Sequence, residues 1–187
     1  LSDGALGQMM EKIVLPEQRP RLAEYPDWAT NGTPEGKERR FVTSLNLLPQ
    51  QHEMVNIRLQ EKYRAMEETE VRYEMIQCED AEYIIVAFGI IARIAQKSIE
   101  LARAKGHKIG LFRPITLYPF PMKEITALAN NNRVKGFMSV ELNAGQMVED
   151  IRLAVEGRKP VGFFGRLGGM VPSPEEIENA IYKEFNL

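Results

Sequence analysis

From Tyr83 onward the chain alternates short, wholly apolar runs with longer stretches whose apolar residues recur at helical spacing. That alternation restricts the available folds more than any other feature. Tyr83–Phe88 (YIIVAF) is a continuous apolar run of strand length, closed by Gly89. A run with no polar alternation suits a strand covered on both faces. Ile91, Ile94, Ala95, Ser98 and Ala102 then share one face of a predicted helix ending at Gly106. Lys108–Phe112, Lys135–Glu141 and Val161–Phe164 are predicted as the next three strands. Met122–Ala129 and Gln146–Glu156 are predicted as helices, the second with Met147, Ile151, Ala154 and Val155 inward. Pro114–Pro121 (PITLYPFP) reads as a stiff loop. Ser173-Pro174-Glu175-Glu176 supplies an N-cap serine, a first-turn proline and a glutamate at the third helical position, which is a capping box. Ile177, Ala180, Ile181 and Phe185 give that last helix its buried face. Parallel strands require crossover helices on the sheet faces, so the order predicts a three-layer α/β/α sandwich.

Upstream the rhythm is weaker. Gln50 to about Glu68 places Met54, Val55, Leu59, Lys62, Tyr63 and Met66 at roughly helical spacing and predicts a solvent-edged helix. Val71–Gln77 alternates Val71, Tyr73 and Met75 against Arg72 and Glu74, which fits a strand or the last turns of that helix. Leu1–Val14 carries Leu6, Met9, Met10 and Ile13 on one face of a short predicted helix, with Gly4 and Gly7 each weakening it by up to about 1 kcal/mol. Leu15–Arg40, with Pro16, Pro20, Pro26, Pro34, Gly32 and Gly36, reads as an extended connection. Residues 15–48 are expected to pack poorly or to lie on a neighbouring chain. The start at Leu1 without a methionine reads as a processed or excised piece.

Composition removes several function classes. The 187 residues suffice for one domain with a full core. A net charge of −2 offers no electrostatic case for nucleic acid or an anionic membrane surface. The lone cysteine, Cys78, excludes an intrachain disulfide and an iron–sulfur cluster held by this chain alone. With His52 and His107 as the only histidines, a Cys/His zinc site is not expected. The longest apolar run, Tyr83–Ile91, falls short of the roughly 20 residues of a membrane span. No signal peptide is visible, and the cytoplasm is the expected compartment.

Few residues offer chemistry. Gly89 is followed by bulky Ile90 and Ile91, so FGIIARI reads as a tight turn rather than a dinucleotide fingerprint, and no GxxxxGK[ST] loop exists. Gly162, Gly165, Gly168 and Gly169 surround Arg166 and would suit an anion cradle. Their apolar flanks, Phe163, Phe164, Leu167, Met170 and Val171, instead favour a loop covered by another chain. Glu141 ends a strand, where open α/β sheets bind ligands, and Asn143 and Gln146 follow it. With no carboxylate or histidine partner in the pattern, Glu141 reads as a buried structural carboxylate in preference to a general acid or base. Arg113, just before Pro114, is expected to meet a carboxylate, with Glu141 the candidate. His107 is expected at a helix end, His52 in solvent, and Cys78 is not placed to be a nucleophile.

Three stretches together carry a family resemblance: KIGLFRPITLYPFP (Lys108–Pro121), FMSVELNAGQMVEDIR (Phe137–Arg152) and FFGRLGGMVPSPEEI (Phe163–Ile177). In this order and spacing they resemble the alpha subunit of 2-oxoacid:ferredoxin oxidoreductases, nearest the 2-oxoisovalerate and 2-oxoglutarate types. LSDGALGQMMEKI (Leu1–Ile13) is similar to the end of that subunit's pyrimidine-binding domain. The resemblance implies residues 1–48 as a remnant of that domain plus linker, and residues 49–187 as a transketolase C-terminal-like domain. It implies a mixed, mostly parallel five-stranded sheet with Val71–Gln77 as an antiparallel edge. The implied reaction is oxidative decarboxylation of a 2-oxoacid, with coenzyme A, to acyl-CoA, carbon dioxide and reduced ferredoxin. Thiamine diphosphate, magnesium and iron–sulfur clusters would belong to the complex rather than to this chain. The implied partners are pyrophosphate-domain beta, gamma and ferredoxin-like subunits, ferredoxin, and a second copy of the chain. No catalytic, cofactor-binding or metal residue carries over. Arg113, Glu141, Asn143, Gln146, Arg166, Leu167, Gly168 and Gly169 are the residues expected at an interface or cleft. The competing readings are a stand-alone small-molecule or nucleotide-binding module and an interaction domain with no ligand.

The Gly165–Met170 loop is therefore expected to lie in an oligomer interface. Leu167→Asp should weaken association far more than it disturbs the fold, as sedimentation velocity beside circular dichroism would show. A stable monomer before the change, or an unaltered oligomer after it, would count against the interface.

Overall fold

The computed structural model describes residues 43–187 throughout, and upstream of them residues 12–19 and the single positions 4, 8, 10, 29, 32 and 38. Most of the helix expected over Leu1–Val14 and of the Leu15–Arg40 connection lies outside the described residues, and residues 12–19 carry no helix. In order, the elements are α1 (Pro49–Thr69), β1 (Tyr73–Ile76), β2 (Tyr83–Val86), α2 (Gly89–Ala104), β3 (Ile109–Pro114), α3 (Met122–Asn130), β4 (Gly136–Glu141), α4 (Met147–Val155), β5 (Val161–Gly165) and α5 (Pro174–Phe185).

The chain divides into two compact units, residues 10–62 and residues 63–187 with 1–9. In the first, helix α1 begins and no side chain along it is buried. Leu45, Leu47, Leu48, Met54 and Ile57 stand exposed. The second unit holds the sheet.

The sheet has five strands in the order β1-β3-β2-β4-β5. Its last four strands run parallel, and β1 pairs antiparallel with β3, placing Tyr73 opposite Pro114 and Ile76 opposite Leu111. The expected mixed sheet with an antiparallel edge is present. Of the two readings of Val71–Gln77, the strand is correct, since α1 already ends at Thr69. Strand β2 sits in the middle, and Ile84, Ile85, Val86 and Ala87 are all fully buried.

Side chains alternate between two helical layers. Ile84, Val86, Phe112 and Phe137 face Ile125 and Ala129 of α3 and Met147, Ile151, Ala154 and Val155 of α4. Ile85, Ala87, Leu111, Met138 and Val140 face Ile91, Ala95, Ile99 and Ala102 of α2 and Ile177 and Ile181 of α5. Gly89, at φ +64°, lets the chain leave β2 and enter α2 in one step, a backbone that a β-branched residue would resist. The capping box of α5 forms as its spacing predicts: the Glu176 N–H donates to Ser173 Oγ at 3.2 Å, and the Ser173 N–H donates to the Glu176 carboxylate at 2.8 Å.

From β2 the chain crosses through α2 to β3 on one side, then through α3 to β4 on the other. The ends of β2 and β4 therefore flank the point where strand order reverses. Loops diverge there and leave a crevice.

Phe137 is fully buried in the face covered by α3 and α4, whereas Leu153 projects from α4 at 65% exposure. Phe137→Ala should lower unfolding free energy by about 3–5 kcal/mol, and Leu153→Ala by no more than about 0.5 kcal/mol. Urea denaturation of the two variants checks the contrast.

Candidate functional site at the strand ends

Strand β4 ends on Glu141, whose side chain is only 1% exposed. Ser139 Oγ donates to its Oε1 at 2.8 Å and the Val148 N–H to the same oxygen at 2.9 Å. The Gln146 and Met147 N–H groups donate to Oε2 at 3.1 and 2.9 Å. These are first-turn amides of α4, which lack partners inside their own helix. Gln146, at the N-cap, supplies no side-chain bond to them. Glu141 thus caps α4 from the preceding strand. A carboxylate accepts about four hydrogen bonds, so this one has no acceptor capacity left for a substrate. Burial pushes its pKa upward, but the Ser139 hydroxyl and the Met147 and Gln146 amides outweigh that and hold it below the ordinary glutamate value.

Beside Glu141 lies a cavity of about 160 Å³, lined by Phe88, Leu117, Phe120, Glu141, Asn143, Gln146, Met147 and Asp150. It occupies the crevice at the ends of β2 and β4. Three residues singled out from the sequence, Glu141, Asn143 and Gln146, are brought together here. Asn143 Oδ1 accepts the Gly145 N–H at 2.7 Å and closes the turn into α4. The close of β5 packs against this turn: a Cβ on Gly165 would stand 2.5 Å from the Asn143 carbonyl oxygen. Sequence reasoning missed Phe88, Leu117, Phe120 and Asp150. The PITLYPFP segment carried the signal for two of them, because a proline-stiffened loop after a strand end holds its apolar side chains in place. Burial raises the Asp150 pKa, and the Glu141 and Glu149 charges raise it further.

The expected pairing of Arg113 with Glu141 is not made. Arg113 donates to Glu74 of β1 at 2.8 Å. Phe112, Val86 and Ser139 lie side by side across β3, β2 and β4. Alternation then puts Glu141 on their face and Arg113 on the opposite one. The strand ends are near in topology, but the pleat separates the side chains.

Arg166, Leu167, Gly168 and Gly169 follow β5. The Arg166 N–H donates to the Glu141 carbonyl at 3.1 Å, while its guanidinium pairs with Glu176 of α5 at 2.9 Å. Gly168 and Gly169 have φ of +64° and +81°, with open space where a side chain would stand. Leu167 is 60% exposed, and Met170 and Val171 are exposed beside it.

The remaining candidates are structural. Cys78 is buried, with Sγ 3.3 Å from the Leu111 carbonyl oxygen, and burial pushes its pKa to about 12. His107 packs against the Tyr182 ring, centroids 5.0 Å apart. Tyr182 and Lys105 both donate to the buried Glu178 carboxylate, at 2.6 and 2.8 Å, tying α5 to the end of α2. Among the described residues no group of His, Cys, Asp and Glu is arranged to hold a metal ion.

These features sit within a recognised domain. Residues 81–177 match the family described as pyruvate:ferredoxin oxidoreductase core domain II, and the chain belongs to that family. It is 45% identical over 169 residues to the ketoisovalerate oxidoreductase subunit VorB of Methanothermobacter marburgensis, covering 90% of this chain and 47% of that one. With the 2-oxoglutarate synthase subunit KorA of Methanocaldococcus jannaschii, identity is 26% over 203 residues, covering 97% of this chain and 54% of that one. The chain spans about half the length of these curated relatives. Among solved structures it resembles the 2-oxoglutarate:ferredoxin oxidoreductase of Magnetococcus marinus, determined with 2-oxoglutarate, coenzyme A and succinyl-CoA bound. That match has a TM-score of 0.65 at 23% identity and covers 83% of this chain and 28% of that one. A split-gene transketolase, determined as an inactive beta4 tetramer, matches with a TM-score of 0.52 at 17% identity, over 62% of this chain and 42% of that one. Both structural likenesses support the α/β/α architecture expected from the sequence.

Replacing one carboxylate oxygen of Glu141 by an NH2 group sets a donor against two of the four donors it now accepts, in a buried site. Glu141→Gln should cost about 3 kcal/mol. Because the folded chain holds this carboxyl below its unfolded value near 4.5, its contribution is full above that value and is lost as pH falls through the lower folded value. Urea melts of wild type and variant from neutral pH down to about pH 3 should show the gap narrowing with acid. A constant gap would contradict the assignment.

Proposed function

We propose that this chain is the second-domain portion of an alpha-type subunit of a 2-oxoacid:ferredoxin oxidoreductase acting on 2-oxoisovalerate, and that it serves there as an assembly domain. The observation that carries this reading is the 45% identity to a ketoisovalerate oxidoreductase subunit across 90% of the chain. In this proposal residues 1–48 are the tail of a pyrimidine-binding domain with its linker, and residues 49–187 are the transketolase-like domain.

The chemistry of the strand-end site supports a framing role. The hydrogen-bonding capacity of Glu141 is already used by α4. Thiamine diphosphate supplies carbanion chemistry in such enzymes, and iron–sulfur clusters accept the electrons. The described residues fit neither group: no cluster of acidic, histidine or cysteine side chains is arranged to hold magnesium, and the one thiol is buried on a carbonyl. Those groups, together with coenzyme A, are assigned to the remainder of the subunit and to beta, gamma and ferredoxin-like partners, with free ferredoxin as electron acceptor. The exposed run at Leu167, Met170 and Val171, flanked by Gly168 and Gly169, is the proposed contact with a partner or a second copy. Among the described residues no helix is long and apolar enough to cross a membrane, in keeping with a proposed cytoplasmic location. At the strand ends a whole nucleotide is disfavoured, since the cavity there is about 160 Å³ and ligand pockets run to about 300–1,000 Å³.

The test is to tag the chain in its native host, recover its assembly, and follow viologen reduction. Reduction should depend on both coenzyme A and 2-oxoacid and be fastest with 2-oxoisovalerate, and the isolated chain should be inactive. An assembly with no 2-oxoacid-dependent reduction overturns the enzyme reading. Faster turnover of 2-oxoglutarate or pyruvate overturns the substrate.

A further inference from the structure

The crevice beyond β2 and β4 contains a charge that no described residue neutralises. Its walls are the rings of Phe88 and Phe120, the apolar side chains of Leu117 and Met147, the amides Asn143 and Gln146, and the carboxylates Glu141 and Asp150. Among the described residues no lysine, arginine or histidine lines it. The two carboxylates are not equivalent. Glu141 is answered by the Ser139 hydroxyl and by the first amides of α4. Asp150, one turn into that helix and half-buried, makes no side-chain hydrogen bond or ion pair among the described residues, and the charges acting on it are those of Glu141 and Glu149, both of its own sign. Its nearest basic neighbour along the helix, Arg152, is held by Glu149 at 2.7 Å.

An aromatic-walled recess with one free carboxylate is complementary to a cation. Ring faces attract ammonium and guanidinium groups within about 6 Å of their centroids. The volume limits what enters. About 160 Å³ admits one functional head and excludes a whole metabolite of ordinary size. Of the two common cationic heads, guanidinium is flat, weakly hydrated, stacks on rings and meets a carboxylate with paired N–H donors, so it loses less on leaving water than ammonium does.

We propose that this crevice is a recognition pocket for a single guanidinium head, with Asp150 as counter-ion and Phe88 and Phe120 as its walls, and that its occupant is an arginine side chain of a neighbouring subunit. The identity of the occupant rests on the multisubunit reading above, whereas the pocket chemistry does not. Gln146, itself exposed, lines the recess beside them.

The two parts are tested separately. Amide chemical shifts of Gln146 and Met147 in the full chain are followed during titration with N-methylguanidinium, and with N-methylurea as the neutral analogue of similar shape. Saturable shifts are expected with the cation and none with the urea. Asp150→Asn should weaken the cation about fivefold, a loss on the scale of one charge-assisted contact. Phe120→Leu should weaken it about threefold. Amide shifts elsewhere should stay in place in both variants. A chain that ignores N-methylguanidinium, or that takes up the urea equally, overturns the pocket whether or not an assembly is recovered. In the native assembly the pocket should be closed to N-methylguanidinium because the arginine fills it. Uptake by the assembly at the same affinity as the free chain overturns the side-chain occupant.

Discussion

Everything in the larger unit depends on the enclosure of β2. It has a parallel neighbour on each edge and a helical layer over each face, and Ile84 to Ala87 are wholly out of contact with water. Burying apolar surface is worth roughly 25 cal/mol per Å², and a central strand collects that gain from both sides. The same enclosure obliges α2 and α3 to cross on opposite faces. That arrangement reverses the strand order and opens the crevice.

Glu141 joins this core to the crevice. Its position at the end of β4 brings a negative charge under the first turn of α4, where unpaired N–H groups and the helix dipole favour one. The usual cap at that place would be Ser, Thr, Asp or Asn on the helix itself. Here the N-cap residue is Gln146, which does not cap, and the strand supplies the carboxylate instead. A residue that position alone would mark as catalytic is thereby committed to holding a helix.

The chain spans about half the length of relatives named as oxidoreductase subunits. Its apolar loop residues, Leu167, Met170 and Val171, stand exposed in the chain by itself. Among the described residues no buried side-chain nitrogen or oxygen lacks a hydrogen-bond partner.

The order and type of the elements from Tyr83 onward were legible in the sequence, because unbroken apolar runs and 3.6-residue periodicity are local consequences of burial. The capping box at Ser173 was legible for the same reason, as all its atoms lie within four residues. The family could be read from three strand-end motifs. The identity of β1 was not, because an alternating stretch after a helix acquires its strand partners only from β3, some 35 residues later in the chain. Arg113 shows the limit most clearly. Its need for a carboxylate followed from its chemistry, but the choice of Glu74 over Glu141 was made by strand register and by the two-residue pleat, which send neighbouring side chains to opposite faces of the sheet. Tertiary structure likewise decided the crevice. Phe88, Leu117, Phe120 and Asp150 come from three separate segments, and only the reversal of strand order around β2 brings them to one place.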